Sequence, residues 1–181
     1  MYKYNPHSSR NYGDEIVLFH SKDRYKRKTW RYSVIEDLKN LKDRGKITEK
    51  LELKAVVGEF DEGAQEIIKH AINHNFESIT IISGPKIFCE DKNEIHTILT
   101  SHKFLKYLIL PVRPTKHYMI FNKKHLFIEK IHRHNEKRGA TGIKNAQLEL
   151  IQFYEQAFLK LLQYAEPTSK KSTLNQQCYI N

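Results

Sequence analysis

The sequence predicts an α/β domain in which helices cover both faces of a central mixed, largely parallel sheet. Short runs rich in β-branched and aromatic residues alternate with segments of helical periodicity, and a length of 181 residues suits one domain. We expect this single domain to cover residues 1–166 and the polar residues 167–181 to form a disordered tail. No apolar run reaches the ~20 residues of a membrane span, and residues 1–10 have no apolar core, so a cytoplasmic protein is expected.

The predicted elements alternate along the chain. Strands are predicted at residues 14–20, 51–60, 78–83, 106–112, 116–121 and 125–131. Helices are predicted at residues 33–44, 62–75, 91–101 and 146–166. Asp61 and Asp91 are expected to cap the second and third helices, and Gly45 to end the first. A polar loop that contains Gly139 and Gly142 is expected over residues 132–144.

The charge balance indicates an anionic partner. Lys and Arg outnumber Asp and Glu by 31 to 21, a formal net charge of +10. A surplus of this size is typical of proteins that bind nucleic acid or another phosphate-bearing ligand, although surplus lysine also keeps small proteins in solution.

Cysteine and histidine spacing predicts no resident metal or other cofactor. Cys89 and Cys178 are the only cysteines, too few for a disulfide framework, and neither belongs to a zinc-binding motif. His70 and His74 stand four residues apart on a predicted helix and can share one face. They can be interpreted as metal ligands or as an ordinary surface pair, and the second interpretation is favoured.

A basic stretch at residues 22–31 is a candidate nucleic-acid contact, since cations neutralise phosphates and aromatic rings stack on unpaired bases. The alternative is a solvated connector with Trp30 and Tyr32 turned into the core. The predicted contact residues are Lys26, Arg27, Lys28, Trp30 and Arg31.

The two strands at residues 116–131 are predicted to form a hairpin that carries the functional site. If residues 122–124 form a three-residue turn, Phe121 faces His125 and His117 faces Glu129, at about 5 Å between Cβ atoms. A carboxylate beside an imidazole fixes its tautomer and raises its basicity. The pair then suits a general base, a nucleophile or a cationic phosphate site, while the alternative is a structural cross-strand pair.

Other residues near the hairpin complete the predicted site. His132 lies just past the second strand and is predicted to join His117 and Glu129 as a catalytic residue. The predicted phosphate-binding cations are Arg113, Lys116, Lys123 and Lys124.

The order of elements over residues 50–166 resembles one half of the phospholipase D-like superfamily. The segment Gly-Ala-Gln-Glu-Ile-Ile-Lys-His-Ala at 63–71, followed by Ser-Ile-Thr-Ile-Ile-Ser, is similar to a helix and strand of that family. The family motif HxKxxxxD, followed by a GSxN-like element, lies on such a strand and turn. The resemblance implies that His117 corresponds to the nucleophilic histidine, and that a second histidine comes from another half or from a homodimer partner.

The motif departs from the family pattern at several positions. Met119 stands where the resemblance implies a lysine that neutralises phosphate oxygens, and a thioether cannot replace a cation. The aspartate position falls on Lys124, or on Asn122 if the turn is shorter, and the second element is absent.

Three functions therefore remain open. The first is a degenerate phospholipase D-like domain that binds nucleic acid or another phosphate-bearing ligand with weak or no catalysis. The second is an active nuclease or phosphodiesterase with a non-standard centre on His117 and Glu129. The third is a non-catalytic protein-interaction scaffold.

Overall fold

The computed structural model describes residues 15–85, 98, 101–130 and 139–167. Several sequence predictions fall outside these residues: His132, both cysteines, residues 168–181 of the predicted tail, and most of the predicted helix at residues 91–101.

The described residues form eight strands and three longer helices. In chain order these are β1 (Glu15–Phe19), α1 (Arg24–Asp43), β2 (Glu52–Val57), α2 (Glu62–Asn73), β3 (Ser78–Ser83), β4 (Leu105–Ile109), β5 (Tyr118–Phe121), β6 (His125–Glu129), β7 (Ala140–Lys144), α3 (Leu148–Leu162) and β8 (Glu166–Pro167). No helix among the described residues is long and apolar enough to cross a membrane.

The strands form one mixed sheet in the order β1-β7-β6-β5-β2-β3-β4-β8. The central strands β2, β3 and β4 are parallel, and every other neighbouring pair is antiparallel. The α/β class and the mixed sheet are confirmed. The antiparallel share is larger than the strand–helix alternation suggested, because β7 was predicted as loop and inserts between β6 and β1.

Helices cover both faces of the sheet, as predicted. On one face, Val34 and Leu38 of α1 pack with Ile67 of α2 and with Leu53 and Ala55 of β2. On the other face, α3 contributes its buried side chains to a second core with Val56 of β2. The alternation of β2 side chains between the two cores follows from the two-residue period of a strand.

The caps predicted for the start of α2 and the end of α1 are present in the structure. The carboxylate of Asp61 accepts a hydrogen bond from the backbone N–H of Ala64 at 2.9 Å, which caps α2. Gly45 follows α1 with φ of 69°, a left-handed conformation that glycine adopts without steric cost.

Two predictions about α1 and β7 are corrected. The basic stretch, interpreted as a contact loop or a connector, is mostly the first part of α1. Trp30 is buried, as the alternative interpretation expected, with its ring 5.9 Å from that of Phe127 and 6.3 Å from that of Phe19. The polar loop predicted at residues 132–144 includes strand β7. A Cβ atom on Gly142 would lie 2.6 Å from the Trp30 indole, so glycine in β7 is what lets α1 approach the sheet so closely.

Candidate functional site

A cavity of about 300 Å³ opens at the carboxyl end of β2. Its lining includes the residues that follow β2, the start of α2, the first two turns of α1, and the open end of the β5–β6 hairpin. Ligands of open α/β sheets bind at this end of parallel strands. The cavity therefore lies at the end of the sheet where such folds bind ligands, and His117 and Glu129 of the predicted hairpin site line it.

The hairpin has the predicted register. Phe121 pairs with His125 and Met119 with Phe127. One step further along, the backbone N–H of Glu129 donates to the carbonyl of His117 at 2.9 Å. Across the same pair, Nδ1 of His117 lies 3.1 Å from a carboxylate oxygen of Glu129. The predicted contact between these two residues is therefore present, and both side chains are largely buried.

The second ring nitrogen of His117 also has a hydrogen-bond partner. Its Nε2 atom lies 2.9 Å from the carbonyl oxygen of Pro114. A carbonyl only accepts, so Nε2 donates, and Nδ1 then faces the carboxylate. A neutral imidazole donates from one nitrogen only. Both bonds therefore form together either with an imidazolium or with a proton on Glu129.

Gly58 makes room for the His117 ring. A Cβ atom at position 58 would lie 2.5 Å from Nε2 of His117 and 2.9 Å from Nε of Arg113. Real side chains do not approach this closely, so the glycine is required by the packing of the ring on the chain that follows β2.

Three arginines of α1 line the cavity at helical spacing. Arg24, Arg27 and Arg31 are separated by three and four residues, which places them along one face of the helix. The Arg31 guanidinium lies 4.7 Å from the centre of the Phe127 ring, and its Nε donates to the carbonyl of Arg27 at 3.2 Å. Burial lowers the pKa of Arg31 to about 10, opposed by the nearby Glu129 carboxylate, so the group is charged at neutral pH.

A fourth arginine comes from the segment that leads to β5. Arg113 lines the cavity and forms an ion pair with Glu59 at 3.2 Å. The cavity thus brings four guanidinium groups together with the carboxylates of Glu59, Asp61 and Glu129. Glu129 contacts His117 and Asp61 caps α2, so these two carboxylates also have structural roles.

Met119 lines the same cavity, two residues after His117 on the same face of β5. It stands at the position where the family resemblance implies a lysine. Its cross-strand neighbour is Phe127, the ring beneath Arg31. At this place in the cavity a cation is therefore supplied by Arg31 of α1 and not by β5.

The structure does not bring every predicted phosphate-binding residue to the cavity. Arg113 lines it, whereas Lys116 is exposed and is not part of the lining. Lys123 and Lys124 belong to the hairpin turn, six and seven residues along the chain from His117, and the whole length of β5, roughly 13 Å at the rise of an extended strand, separates them from it. These two lysines lie at the opposite end of the hairpin, and their predicted role at the His117 site is wrong.

The structure places only two of the five predicted nucleic-acid contact residues at the cavity. Arg27 and Arg31 line the cavity, but Trp30 is in the core and cannot stack on a base. Lys28 is paired with Glu66 at 2.8 Å, and Lys26 is exposed outside the lining. If a helical period is applied to residues 24–31, it places Arg24, Arg27 and Arg31 on one face of the helix, which is the face that lines the cavity.

Two members of the site were missed at the sequence level. Arg24 lies in the basic stretch but was not among the predicted contact residues, and Glu59 had no assigned role. Helical spacing from Arg27 and Arg31 identifies Arg24, whereas the position of Glu59 beside Arg113 depends on long-range packing.

No protein-family model matches the sequence, and no curated protein matches it significantly. The fold, in contrast, is similar to solved phospholipase D-like structures. NucT from Helicobacter pylori aligns with a TM-score of 0.55 and 14% identity over 84% of this chain and 98% of NucT. Nuc from Salmonella typhimurium, a phospholipase D family member, aligns with a TM-score of 0.57 and 9% identity over 84% of this chain and 97% of Nuc.

TrmBL2, an archaeal chromatin protein whose structure shows a novel mode of DNA binding, aligns with a TM-score of 0.57 and 12% identity. That alignment covers 84% of this chain and 55% of TrmBL2. Identities this low establish the fold alone. The chain therefore has a phospholipase D-like fold, and the resemblance drawn from its element order is confirmed at that level.

Proposed function

We propose that this protein is a degenerate phospholipase D-like domain that binds nucleic acid in the arginine-lined cavity, with weak or no catalysis. The observation that carries the proposal is the convergence of Arg24, Arg27, Arg31 and Arg113 on the cavity beside His117. Guanidinium groups bind phosphate oxygens in a two-pronged geometry, and several of them along one helix face suit a ligand with repeated phosphates.

The net charge of the chain supports a polyanionic ligand. The formal charge of +10 favours association with nucleic acid at low ionic strength. The likeness to TrmBL2, whose structure shows DNA binding, agrees with this substrate class at the level of the fold.

Weak or absent catalysis is supported by the surroundings of His117. Nε2 donates to the Pro114 carbonyl, so the atom has no lone pair available for attack in this arrangement. Met119 stands where the family resemblance implies a lysine beside the reacting phosphate, so β5 supplies no positive charge at that position. Together these features favour binding over turnover.

An active phosphodiesterase is the second candidate, and the His117–Glu129 contact is the observation that favours it. A carboxylate on Nδ1 is the arrangement that activates a catalytic histidine. Loss of the Pro114 bond on ligand binding would expose Nε2. The resemblance implies that the second histidine would then come from a homodimer partner.

The binding proposal is tested with two matched variants of α1. Arg24→Gln removes an exposed arginine that lines the cavity, and Lys26→Gln removes an equally exposed cation two residues away that does not line it. Each pairs at 3.6 Å with a carboxylate, so the two changes cost similar surface contacts. We expect Arg24→Gln to weaken binding of a fluorescent oligonucleotide about three- to tenfold and Lys26→Gln to weaken it less than twofold. Equal losses, or no binding by the wild type, would contradict the cavity as the binding site; no binding would favour a protein-interaction scaffold.

The catalytic status is tested by hydrolysis assays on wild type and His117→Ala. Substrates are single- and double-stranded DNA, RNA and bis(p-nitrophenyl) phosphate. The proposal predicts that wild type and variant have the same rate, near background. A rate in the wild type that disappears in the variant would overturn this part of the proposal and establish the second candidate.

A further inference from the structure

A second cluster of chemically capable side chains lies away from the cavity, between α1 and α2. Glu36 of α1 faces His70 of α2 and its C-terminal neighbour His74, and one ligand atom from each residue lies within 4.8 Å of the others. The sequence suggested His70 and His74 as a pair on one helix face. The structure adds a carboxylate from another helix.

His74 is held with one ring nitrogen available as a ligand. Its Nδ1 lies 2.8 Å from the carbonyl oxygen of His70. Because a carbonyl only accepts, Nδ1 carries the proton, and in the neutral ring Nε2 then carries the lone pair. Metal-binding histidines commonly donate their second nitrogen to a backbone carbonyl in this way.

The spacing of the other two ligand atoms suits a tetrahedral ion. Nε2 of His70 and a carboxylate oxygen of Glu36 are 3.1 Å apart. Zinc bonds to nitrogen and oxygen of about 2.0–2.1 Å at a tetrahedral angle place two ligand atoms roughly 3.3 Å apart. An ion can therefore replace the hydrogen bond if the distance between these two ligand atoms increases by only a few tenths of an ångström.

The surroundings hold the His70 ring in place. Tyr32 of α1 stacks on it with ring centres 3.8 Å apart and planes within 7°. The His74 ring lies 4.2 Å from the His70 ring, centre to centre. Lys28, whose ammonium lies 5.5 Å from the centre of the Tyr32 ring, is paired with Glu66 at 2.8 Å, which reduces its repulsion of a bound ion.

We propose that Glu36, His70 and His74 bind one Zn²⁺-class divalent ion that ties α1 to α2. Two imidazoles and a carboxylate form a borderline ligand set that suits zinc and cobalt better than magnesium or calcium. Three protein ligands leave a fourth position for water. Since α1 also carries the arginines of the cavity, the ion would fix the helix that presents them.

The test uses the tag-free, full-length chain after treatment with a chelator. Zn²⁺ is titrated by calorimetry, Co²⁺ is followed by its visible absorption, and the melting temperature is measured with and without Zn²⁺. The variants are Glu36→Gln, His70→Asn and His74→Gln, and the matched control is His102→Gln, a histidine of similar exposure outside the cluster.

The proposal predicts one equivalent of Zn²⁺, a tetrahedral Co²⁺ spectrum and a rise in melting temperature for wild type and for His102→Gln. Each cluster variant should bind Zn²⁺ more than about tenfold more weakly, since loss of even an outer-shell partner costs 10- to 100-fold. Its metal-free melting temperature reports whether it folds, and Glu36 is exposed enough for Glu36→Gln to remain folded. The proposed Zn²⁺ site would be overturned if the wild type bound no stoichiometric Zn²⁺. It would also be overturned if Glu36→Gln and His74→Gln were folded and bound Zn²⁺ as tightly as the wild type.

Discussion

Gly58 and His117 are packed so closely that a Cβ atom on Gly58 would lie 2.5 Å from Nε2 of His117. The contact joins the residue after β2 to the residue before β5, and both line the cavity. The His117 ring can reach both Glu129 and the Pro114 carbonyl because Gly58 leaves this space open.

Gly58→Ala should therefore disturb the site and the fold together. The methyl group forces the His117 ring away from at least one of its hydrogen-bond partners, and overpacking of this kind costs about 1–3 kcal/mol. The free energy of unfolding in denaturant measures the loss. Gly63→Ala is the matched control, because its Cβ would meet Asp61 at an ordinary 3.4 Å on the first turn of α2. Equal losses in the two variants would contradict this account of Gly58.

The salt dependence of oligonucleotide binding should separate the cavity from the hairpin turn. Each lost phosphate contact lowers the slope of log K against log salt by about 0.7–0.9. We expect Arg24→Gln with Arg27→Gln to reduce the slope by about 1–2. Lys123→Gln with Lys124→Gln removes the same charge at the far end of the hairpin, and the slope should not change. If the lysine double variant lowered the slope and the arginine double variant did not, the binding site would lie at the hairpin turn and not in the cavity.

His125 should make the fold sensitive to mild acid. It is buried, and its Nδ1 accepts a hydrogen bond from the backbone N–H of Asn145 at 3.1 Å. Burial, assisted by Lys124 and Lys144, lowers its pKa to about 4. The unfolded chain, with an ordinary histidine pKa near 6.5, takes up a proton first as the pH falls, so stability is present above about 6.5 and is lost between 6.5 and 4.

The expected loss attributable to His125 is about 2 kcal/mol between pH 7 and pH 5. Urea unfolding at both pH values measures it, with His125→Gln as the comparison because glutamine keeps an acceptor but does not titrate. The wild type should lose about 2 kcal/mol more than the variant. The same pH dependence in both proteins would show that other groups are responsible.

Trp30 should contribute to stability and not to ligand binding. It is the single tryptophan of the chain. It lies on the buried side of α1, and its ring packs against those of Phe19 and Phe127. Trp30→Phe should lower the free energy of unfolding by about 1–3 kcal/mol, because it leaves space in the core. Oligonucleotide affinity should stay within about twofold of the wild type. A large loss of affinity in a folded variant would restore the base-stacking interpretation of this residue.

Local features of the site were predictable from the sequence. The hairpin register depends on a short turn and a two-residue side-chain period, so the contact of His117 with Glu129, twelve residues apart, could be anticipated. The capping of α2 by Asp61 is equally local. Three of the four cavity arginines were among the predicted site residues, and Arg24 was missed because the helical period of the basic stretch was not applied.

The sequence by itself thus determined the elements with strong periodicity, the α/β class and the hairpin that holds His117, since each depends on residues close together in the chain. Only the tertiary structure decided that Arg24 and Arg31 line the same cavity as this histidine, that Lys123 lies outside that cavity, and that Glu36 meets His70. Those relationships depend on how α1 packs against the sheet and against α2. That packing is set by buried contacts between distant segments, such as Trp30 on Gly142, which no local pattern reveals.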